Sequence, residues 1–424
     1  MAESAAELCR ARGLVVEIQE EATGDLRQAN LIARLQDSRP AEEFLLQTHL
    51  DTPDPGPFGL WNMTGQNPFD AHIIDGRIYG LGAADTKLDF LCKLEAMSSF
   101  NGQTLKVPPV LVGTFGEETG MTGALKLIRK NKISAKRALI GEPSDLRLIT
   151  AGKGFAHVEI HIPFEGDERK FRLEHNLFEG ISTQSKVFHG KAVHSSVPHL
   201  GDSAVKKMFD YLLQLPEDLV IMEIDGGVNF NTVPSQAFLE VDPVSGFGLP
   251  MAKKLGAVYR AVLELEEIFG QYKDPLFTPE SPTLNIGLVR SSEEYVSLSG
   301  TCRMSPIISI DVYESWMGRL DKVCRAHGAT FRVQDYKKPY QIDSKTEFVR
   351  IAQQELASLG LASELETQPS TNEASLFSRV GIECISFGPG LRENNIHTPT
   401  ENVRIEDLKK AIDFYKNMIG RFCL

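Results

Sequence analysis

The sequence predicts an α/β protein, a three-layer αβα sheet domain interrupted by an inserted α+β sandwich. Three observations carry this reading. A chain of 424 residues exceeds one ordinary core and calls for two domains. From Leu14 to Gly141, short apolar runs alternate with amphipathic stretches, the strand, loop, helix rhythm of a layered sheet. From Gly154 onward the strands become half-buried and interleave with helices, and the first pattern resumes late in the chain. The expected division is therefore 1–153 with 341–424 as one discontinuous domain and 154–340 as an insertion.

Taken in order, residues 1–13 read as a helix ending near Gly13. Leu14–Ile18, Ala29–Leu35 and Phe44–Thr48 read as strands, the last stopped by Pro53, Pro55, Gly56 and Pro57. Asp75-Gly76 reads as a turn into a short strand at Arg77–Tyr79. GLGAAD lacks the third glycine and the strand-to-helix turn of a nucleotide loop, so Gly80 and Gly82 are read as points of close backbone approach. Lys87–Met97 carries apolar residues at Leu88, Phe90, Leu91, Leu94 and Met97, a helix packed on the sheet. Val110–Phe115 and Ala138–Ile140 are further buried strands, with a helix begun at Ala124–Arg129 between them. In the middle, Gly154–Ile162, Ser185–Phe188, Ala237–Val241 and Val296–Arg303 read as strands, and Asp202–Leu215 and Asp311–His327 as helices. The charged stretch 164–181 reads as an excursion, and Met251–Phe269 as a helix without an assigned place. Phe348–Leu359, the strand Cys384–Gly388 and an amphipathic helix at Ile405–Ile419 complete the chain.

The net charge of −12 is spread along the chain with no basic stripe to neutralise phosphates, which argues against a nucleic-acid partner. No run reaches the length of a membrane span, and MAESAAELCRARG has no signal-peptide core. Cys9, Cys92, Cys302, Cys324, Cys384 and Cys423 lack CxxC spacing and read as thiols of a reducing cytoplasm.

Acidic residues and histidines follow the strand ends: His49 and Asp51, Glu117 and Glu118, and Glu142. Asp85 and His397 join them from loops. In open α/β sheets, ligands bind at the carboxyl ends of strands. A period of two puts His49 and Asp51 on one side, where Asp51 can accept from one imidazole nitrogen and leave the other for a metal. Adjacent carboxylates at 117 and 118 repel unless cations offset them. Two imidazoles with several carboxylates suit zinc, and one carboxylate too many for a single tetrahedral site points to two ions, roughly 3.5–4 Å apart.

The stretches THLDTP, GRIYGLGAADTK, GTFGEETG, LIGEPSD, GKAVHSSVPHLGDSA and NNIHTPTE together resemble the co-catalytic zinc exopeptidases and aminoacylases. That family includes acetylornithine deacetylase, succinyl-diaminopimelate desuccinylase, carboxypeptidases of the glutamate type and aminoacylase-1. The resemblance runs in the family's order over nearly the whole chain. It implies a zinc-exopeptidase catalytic domain with a ferredoxin-like lid and dimerisation domain. It implies two divalent metal ions, zinc first and cobalt second. His49 and Glu142 would bind one ion, Glu118 and His397 the other, and Asp85 both. Asp51 would orient His49, and Glu117 would be the general base for the attacking water. His194 in GKAVHSS matches a histidine that reaches the neighbouring subunit's active site, which implies a homodimer joined through the lid. A surface histidine in a lid is the alternative for it.

Arg303 in GTCRMSP and Asn231 in NTVP match the family's holders of a substrate carboxylate, and Gly388 and Gly390 in FGPG match a pocket-lining loop. A surface ion pair is the alternative for Arg303. The chain departs from the family at Thr86 and Leu88, in the long separation of Asn231 from Arg303, and in the excursion at 164–181. The implied activity is removal of an acyl group from a small N-acyl amino acid, N-acetylornithine first. Desuccinylase, general aminoacylase and dipeptidase or carboxypeptidase activities, the last on short peptides, are the alternatives within the class. A non-catalytic amino-acid-binding protein is the reading from another class.

Overall fold

The computed structural model describes residues 1–23, 26–36, 39–174, 184–217, 219–242 and 250–424. By internal packing the chain falls into two units. Met1–Gly152, Tyr340–Gln368 and Asn372–Leu424 form the first, and Lys153–Pro339 with Pro369–Thr371 the second.

The first unit is built on a nine-stranded mixed sheet. Its centre is the strand Glu43–His49, parallel to Pro109–Thr114 on one side and to Ala135–Gly141 on the other. Glu383–Phe387 continues the sheet, parallel to Ala135–Gly141. Parallel neighbours need crossovers, and the helices Lys87–Ser98 and Thr122–Arg129 fall between them in the chain. The strand Glu43–His49 is buried throughout. Alternate side chains leave it on opposite faces. Phe44 and Leu46 enter a core with Phe90, Met97 and Phe414. Leu45 enters another with Val110, Leu127 and Phe377. Two cores on two faces of one sheet make the three layers that the apolar runs predicted. The hairpin Val15–Thr23 and Leu26–Arg34 adds an antiparallel edge.

Register fixes where function can sit. His49 lies opposite Thr114, Thr48 opposite Gly141, and Gly141 opposite Phe387. Four parallel strands thus end together, and the loops that follow them carry Asp51, Glu117, Glu118, Glu142, Gly388 and Gly390.

The second unit is a seven-stranded, wholly antiparallel sheet. Gly154–Pro163 alternates buried and half-buried positions along its length, as a strand with one face in a core must. The helix Met251–Phe269, without a place in the sequence reading, supplies Leu255, Val258, Val262 and Phe269 to that core. Three of the strands, Val220–Gly226, Thr283–Ser291 and Thr330–Lys337, were absent from the sequence reading. The excursion begins as the helix Gly166–Glu174, and residues 175–181 of it lie outside the described residues. No described helix is long and apolar enough to cross a membrane, and all six cysteines are free and buried.

Candidate metal centre

Strand ends and two loops of the first unit gather imidazoles and carboxylates into one cluster. His49 ends its strand with Nε2 at 3.0 Å from Asp85 Oδ1. His397 presents its Nε2 to the other oxygen of the same carboxylate, at 3.2 Å. Asp85 therefore lies between the two histidines with one oxygen for each. Ligand atoms of Asp85, Glu118 and His397 lie within 4.8 Å of one another, and so do those of His49, Glu117 and Glu118. Glu118 belongs to both groups. Glu142 is buried beside them, close enough for Asp85 to act on its charge, but stands outside the two tight groups.

Asp51 does its work chiefly through backbone amides. Its Oδ1 accepts from the Glu117 N–H at 3.2 Å and its Oδ2 from the Glu118 N–H at 3.1 Å. Its relation to His49 is looser. Nδ1 of His49 lies 3.2 Å from the Asp51 carbonyl and 3.6 Å from the carboxylate. Gly116, just before the carboxylate pair, takes φ +67°, and a Cβ there would meet Thr122 Oγ1 at 2.4 Å. Only glycine fits that turn. His397 also has a left-handed backbone, φ +58°, a conformation that non-glycine residues hold only where their surroundings impose it.

The electrostatics are those of crowded negative charge. Burial disfavours a charged His49, yet Asp51 and Asp85 override it and hold its pKa well above the ordinary value. Burial alone would raise Asp85, but hydrogen bonds from His397 and His49 bring it below the usual carboxylate range. His397 is pushed up to about 10 by Asp85 and Glu118. Glu142 is pushed up to about 8 by burial and by Asp85. Glu117 is raised well above the ordinary range by burial, which the pull of His49 offsets only in part. The raised carboxyls of Glu117 and Glu142 express a demand for cations that neighbouring groups meet incompletely.

The donor set fits divalent metal. Imidazole nitrogens and carboxylate oxygens converge, with no thiolate among them. The buried Glu118 Oε1 makes no hydrogen bond, although His397 Nε2 stands 3.3 Å away. A buried carboxylate oxygen left without a donor among imidazoles keeps a lone pair for an ion.

Two buried carboxylates beside the cluster escaped the sequence reading. Glu401 Oε1 accepts from the backbone N–H groups of Ala84 at 2.9 Å and Asp85 at 3.1 Å, which fixes the Asp85 loop. It closes the NNIHTPTE stretch, so its place near His397 could have been noticed. Glu373 accepts from Thr114 Oγ1 at 2.7 Å and from Gln47 Nε2. No short motif marks it. Gly388 and Gly390 pack against site-bearing loops, since added Cβ atoms would stand 2.6 Å from the Glu142 carbonyl and 2.9 Å from Ala84 Cβ.

The other singled-out residues gather in the second unit. His194 Nε2 lies 3.0 Å from Asn231 Nδ2, and Arg303 Nη2 donates to Asn231 Oδ1 at 3.0 Å. Arg303 is buried against the Phe155 ring, 4.7 Å from its centroid, which excludes a surface ion pair. Asn231 and Arg303, far apart in the chain, meet because the 229–232 turn docks on the strand Thr283–Ser291. Asn285 Nδ2 donates to the Thr232 carbonyl at 3.1 Å, and Thr283 pairs with Arg303.

A mixed α/β sheet whose parallel strands end in clustered imidazoles and carboxylates is the frame of a metal-dependent hydrolase. The chain belongs to peptidase family M20/M25/M40, whose sequence model it matches over residues 45–421. It is 24% identical to acetylornithine deacetylase of Myxococcus xanthus over 82% of this chain and 73% of that protein. It is 23% identical to acetylornithine deacetylase of Pasteurella multocida (strain Pm70), over 89% of this chain and 80% of that protein. Among solved structures, aminoacylhistidine dipeptidase from Vibrio alginolyticus superposes with a TM-score of 0.64 at 15% identity, covering 99% of this chain and 92% of that one. The M20 family metallo-carboxypeptidase Sso-CP2 from Sulfolobus solfataricus gives 0.61 at 18%, covering 99% and 94%. These two show a shared fold.

Proposed function

We propose that this protein is a two-metal amidohydrolase that removes the acyl group from an N-acyl amino acid, with N-acetylornithine the first candidate. The observation that carries the reading is Asp85 offering one carboxylate oxygen to each histidine. His49 and Glu142 would hold one ion, Glu118 and His397 the other, with Asp85 common to both; zinc suits these donors best, and cobalt can replace it. When bound, such ions polarise the amide carbonyl and lower the pKa of water.

Glu117 takes the proton of the attacking water and returns it to the leaving amine. A carboxyl held well above its ordinary pKa suits that shuttle. Asp51 keeps Glu117 and Glu118 in their different roles by anchoring both of their amides. Arg303 and Asn231 bind the substrate carboxylate, for which the planar guanidinium fork is well shaped. Gly388 and Gly390 let the loop beside them approach the site closely. His194 donates to the developing oxyanion, in a homodimer joined through the second unit. Free, buried cysteines support a cytoplasmic setting.

Names of relatives support the substrate class. Two are acetylornithine deacetylases. A dipeptidase reading is the alternative, favoured by the dipeptidase among the similar structures. Metal content and hydrolysis should be measured before and after chelation on N-acetylornithine, N-succinyl-diaminopimelate and dipeptides. Two metal equivalents with chelator-sensitive deacetylation are expected. Hydrolysis confined to dipeptides with a free amine would overturn the deacylase reading, and full activity in metal-free protein would overturn the mechanism.

A further inference from the structure

Asn231 stands between partners of fixed hydrogen-bonding character. A guanidinium can only donate, so the side of the amide facing Arg303 is its oxygen. Ser195 Oγ donates to the same oxygen at 2.5 Å. The amide nitrogen is thereby turned toward His194 Nε2. An NH2 group has no lone pair to offer, so Nε2 accepts, and a neutral ring keeps its proton on Nδ1. There Ser196 Oγ accepts it at 2.6 Å. A third contact opposes this state. The Ser196 backbone N–H also points at Nδ1, at 3.2 Å, so one donor faces another.

The opposite tautomer removes that conflict. With the proton on Nε2, Nδ1 accepts from both the N–H and the O–H of Ser196. The hydroxyl serves either state, because it donates as readily as it accepts. What prevents the second tautomer is the Asn231 amide, whose hydrogens would then face an N–H. Asn231 is held in turn by Ser195 and Arg303, of which Arg303 is the charged donor. A carboxylate that pairs with the guanidinium competes for the Nη2 hydrogen that anchors the Asn231 oxygen.

We propose that Asn231 and Ser196 are positioning residues that keep His194 protonated on Nδ1 until a carboxylate reaches Arg303, whereupon Asn231 lets go and the proton moves to Nε2. One proton leaves Nδ1 to water and one arrives at Nε2 from water, so the ring stays neutral. The proposal rests on the reading of His194 as oxyanion donor. A histidine that can donate from Nε2 only after a carboxylate is seated would restrict turnover to substrates that carry one.

The test is nitrogen NMR on metal-loaded protein with 15N-labelled histidine. The chain has 10 histidines, and loss of one signal set in H194Q assigns the relevant ring. Long-range proton–nitrogen couplings then report which nitrogen bears the proton. Resting wild type is expected as the Nδ1–H form, and N231A, or N231S should that variant fold poorly, as Nε2–H. The probe is N-methanesulfonylglycine, a carboxylate whose sulfonyl group replaces the scissile carbonyl. It is expected to move wild type to Nε2–H and to leave R303M unmoved. S196A removes the acceptor of the Nδ1 proton and keeps the opposing backbone N–H, so its resting ring should shift toward Nε2–H, and S196T should return it to Nδ1–H. A resting Nε2–H ring, a Nδ1–H ring in the Asn231 variants, or no response of wild type to the probe at saturation would overturn the proposal. These spectra need no turnover. A protein without amidase activity would sink the proposed function and leave the tautomer result standing.

Discussion

At the scale of single residues, Glu117 and Glu118 are neighbours for which we propose different tasks, and Asp51 holds the turn that carries both. Both amides point at its carboxylate, which fixes the turn from which the two side chains reach the cluster. Glu117→Gln keeps the size and the amide while removing the proton acceptor. It should lower kcat by about 10²–10⁴-fold, the range of general acid–base catalysis, and retain both metal equivalents. Loss of metal in that variant would move Glu117 from base to ligand. Glu401 acts differently. It is buried, and it satisfies two backbone donors of the loop that carries Asp85. Glu401→Ala should cost about 1–3 kcal/mol for each donor left unpaired and weaken metal affinity, whereas Glu401→Gln, which keeps an acceptor, should stay near wild type. Urea unfolding with metal titration checks both, and an unaffected alanine variant would remove Glu401 from the supporting frame.

At the scale of elements, the sequence reading succeeded where a buried strand ended in a motif and failed where pattern was weak. Glu43–His49 reads plainly because both its faces are apolar, and HLD follows at once. Thr330–Lys337 alternates mostly polar residues at a sheet edge and gives no such signal. Thr283–Ser291 is interrupted by Gly287, whose missing Cβ lets the Phe230 carbonyl approach, since an added one would stand 2.3 Å from it. The metal-centre residues could be singled out because each follows a strand or lies in a short motif. Glu373 could not, because its partners Gln47 and Thr114 are distant in sequence and carry no chemistry of their own. The contact of Asn231 with Arg303 required the strand pairing itself. The helix Gly166–Glu174 turns one carboxyl inward. Glu168 is buried and its pKa is pushed up to about 7 by burial, offset only in part by Arg172 and Lys254. A folded-state pKa above the ordinary 4.5 means that the folded form binds the proton more tightly. Its stabilising contribution is complete below about pH 4.5 and is lost as pH rises through about 7. Wild type should therefore lose stability relative to Glu168→Gln between pH 5 and pH 8. Parallel urea midpoints for the two proteins across that range would dismiss the effect.

At the scale of the whole molecule, the second unit is spliced into the first at a hairpin. Gly152 and Tyr340 are antiparallel partners, as are Ala151 and Gln341. Lys153–Pro339 thus leaves and returns at adjacent positions of one sheet. Each unit also has its own buried core. Apart from Pro369–Thr371, which belongs to the second unit and stays in the chain, an insertion with its ends together and its own core can be removed without reaching the parent sheet. Replacing 153–339 by Asn-Gly supplies a two-residue turn that suits an antiparallel pair. All the proposed metal ligands, His49, Asp85, Glu118, Glu142 and His397, remain in the shortened chain, while His194, Asn231 and Arg303 are lost. The shortened protein should bind two metal equivalents with native-like affinity and show no amidase activity. Calorimetric metal titration and the substrate panel decide the point. Activity retained would remove the second unit from the chemistry. Metal binding lost in a chain whose circular dichroism shows it folded would mean that the metal centre depends on more than the strand ends that carry it.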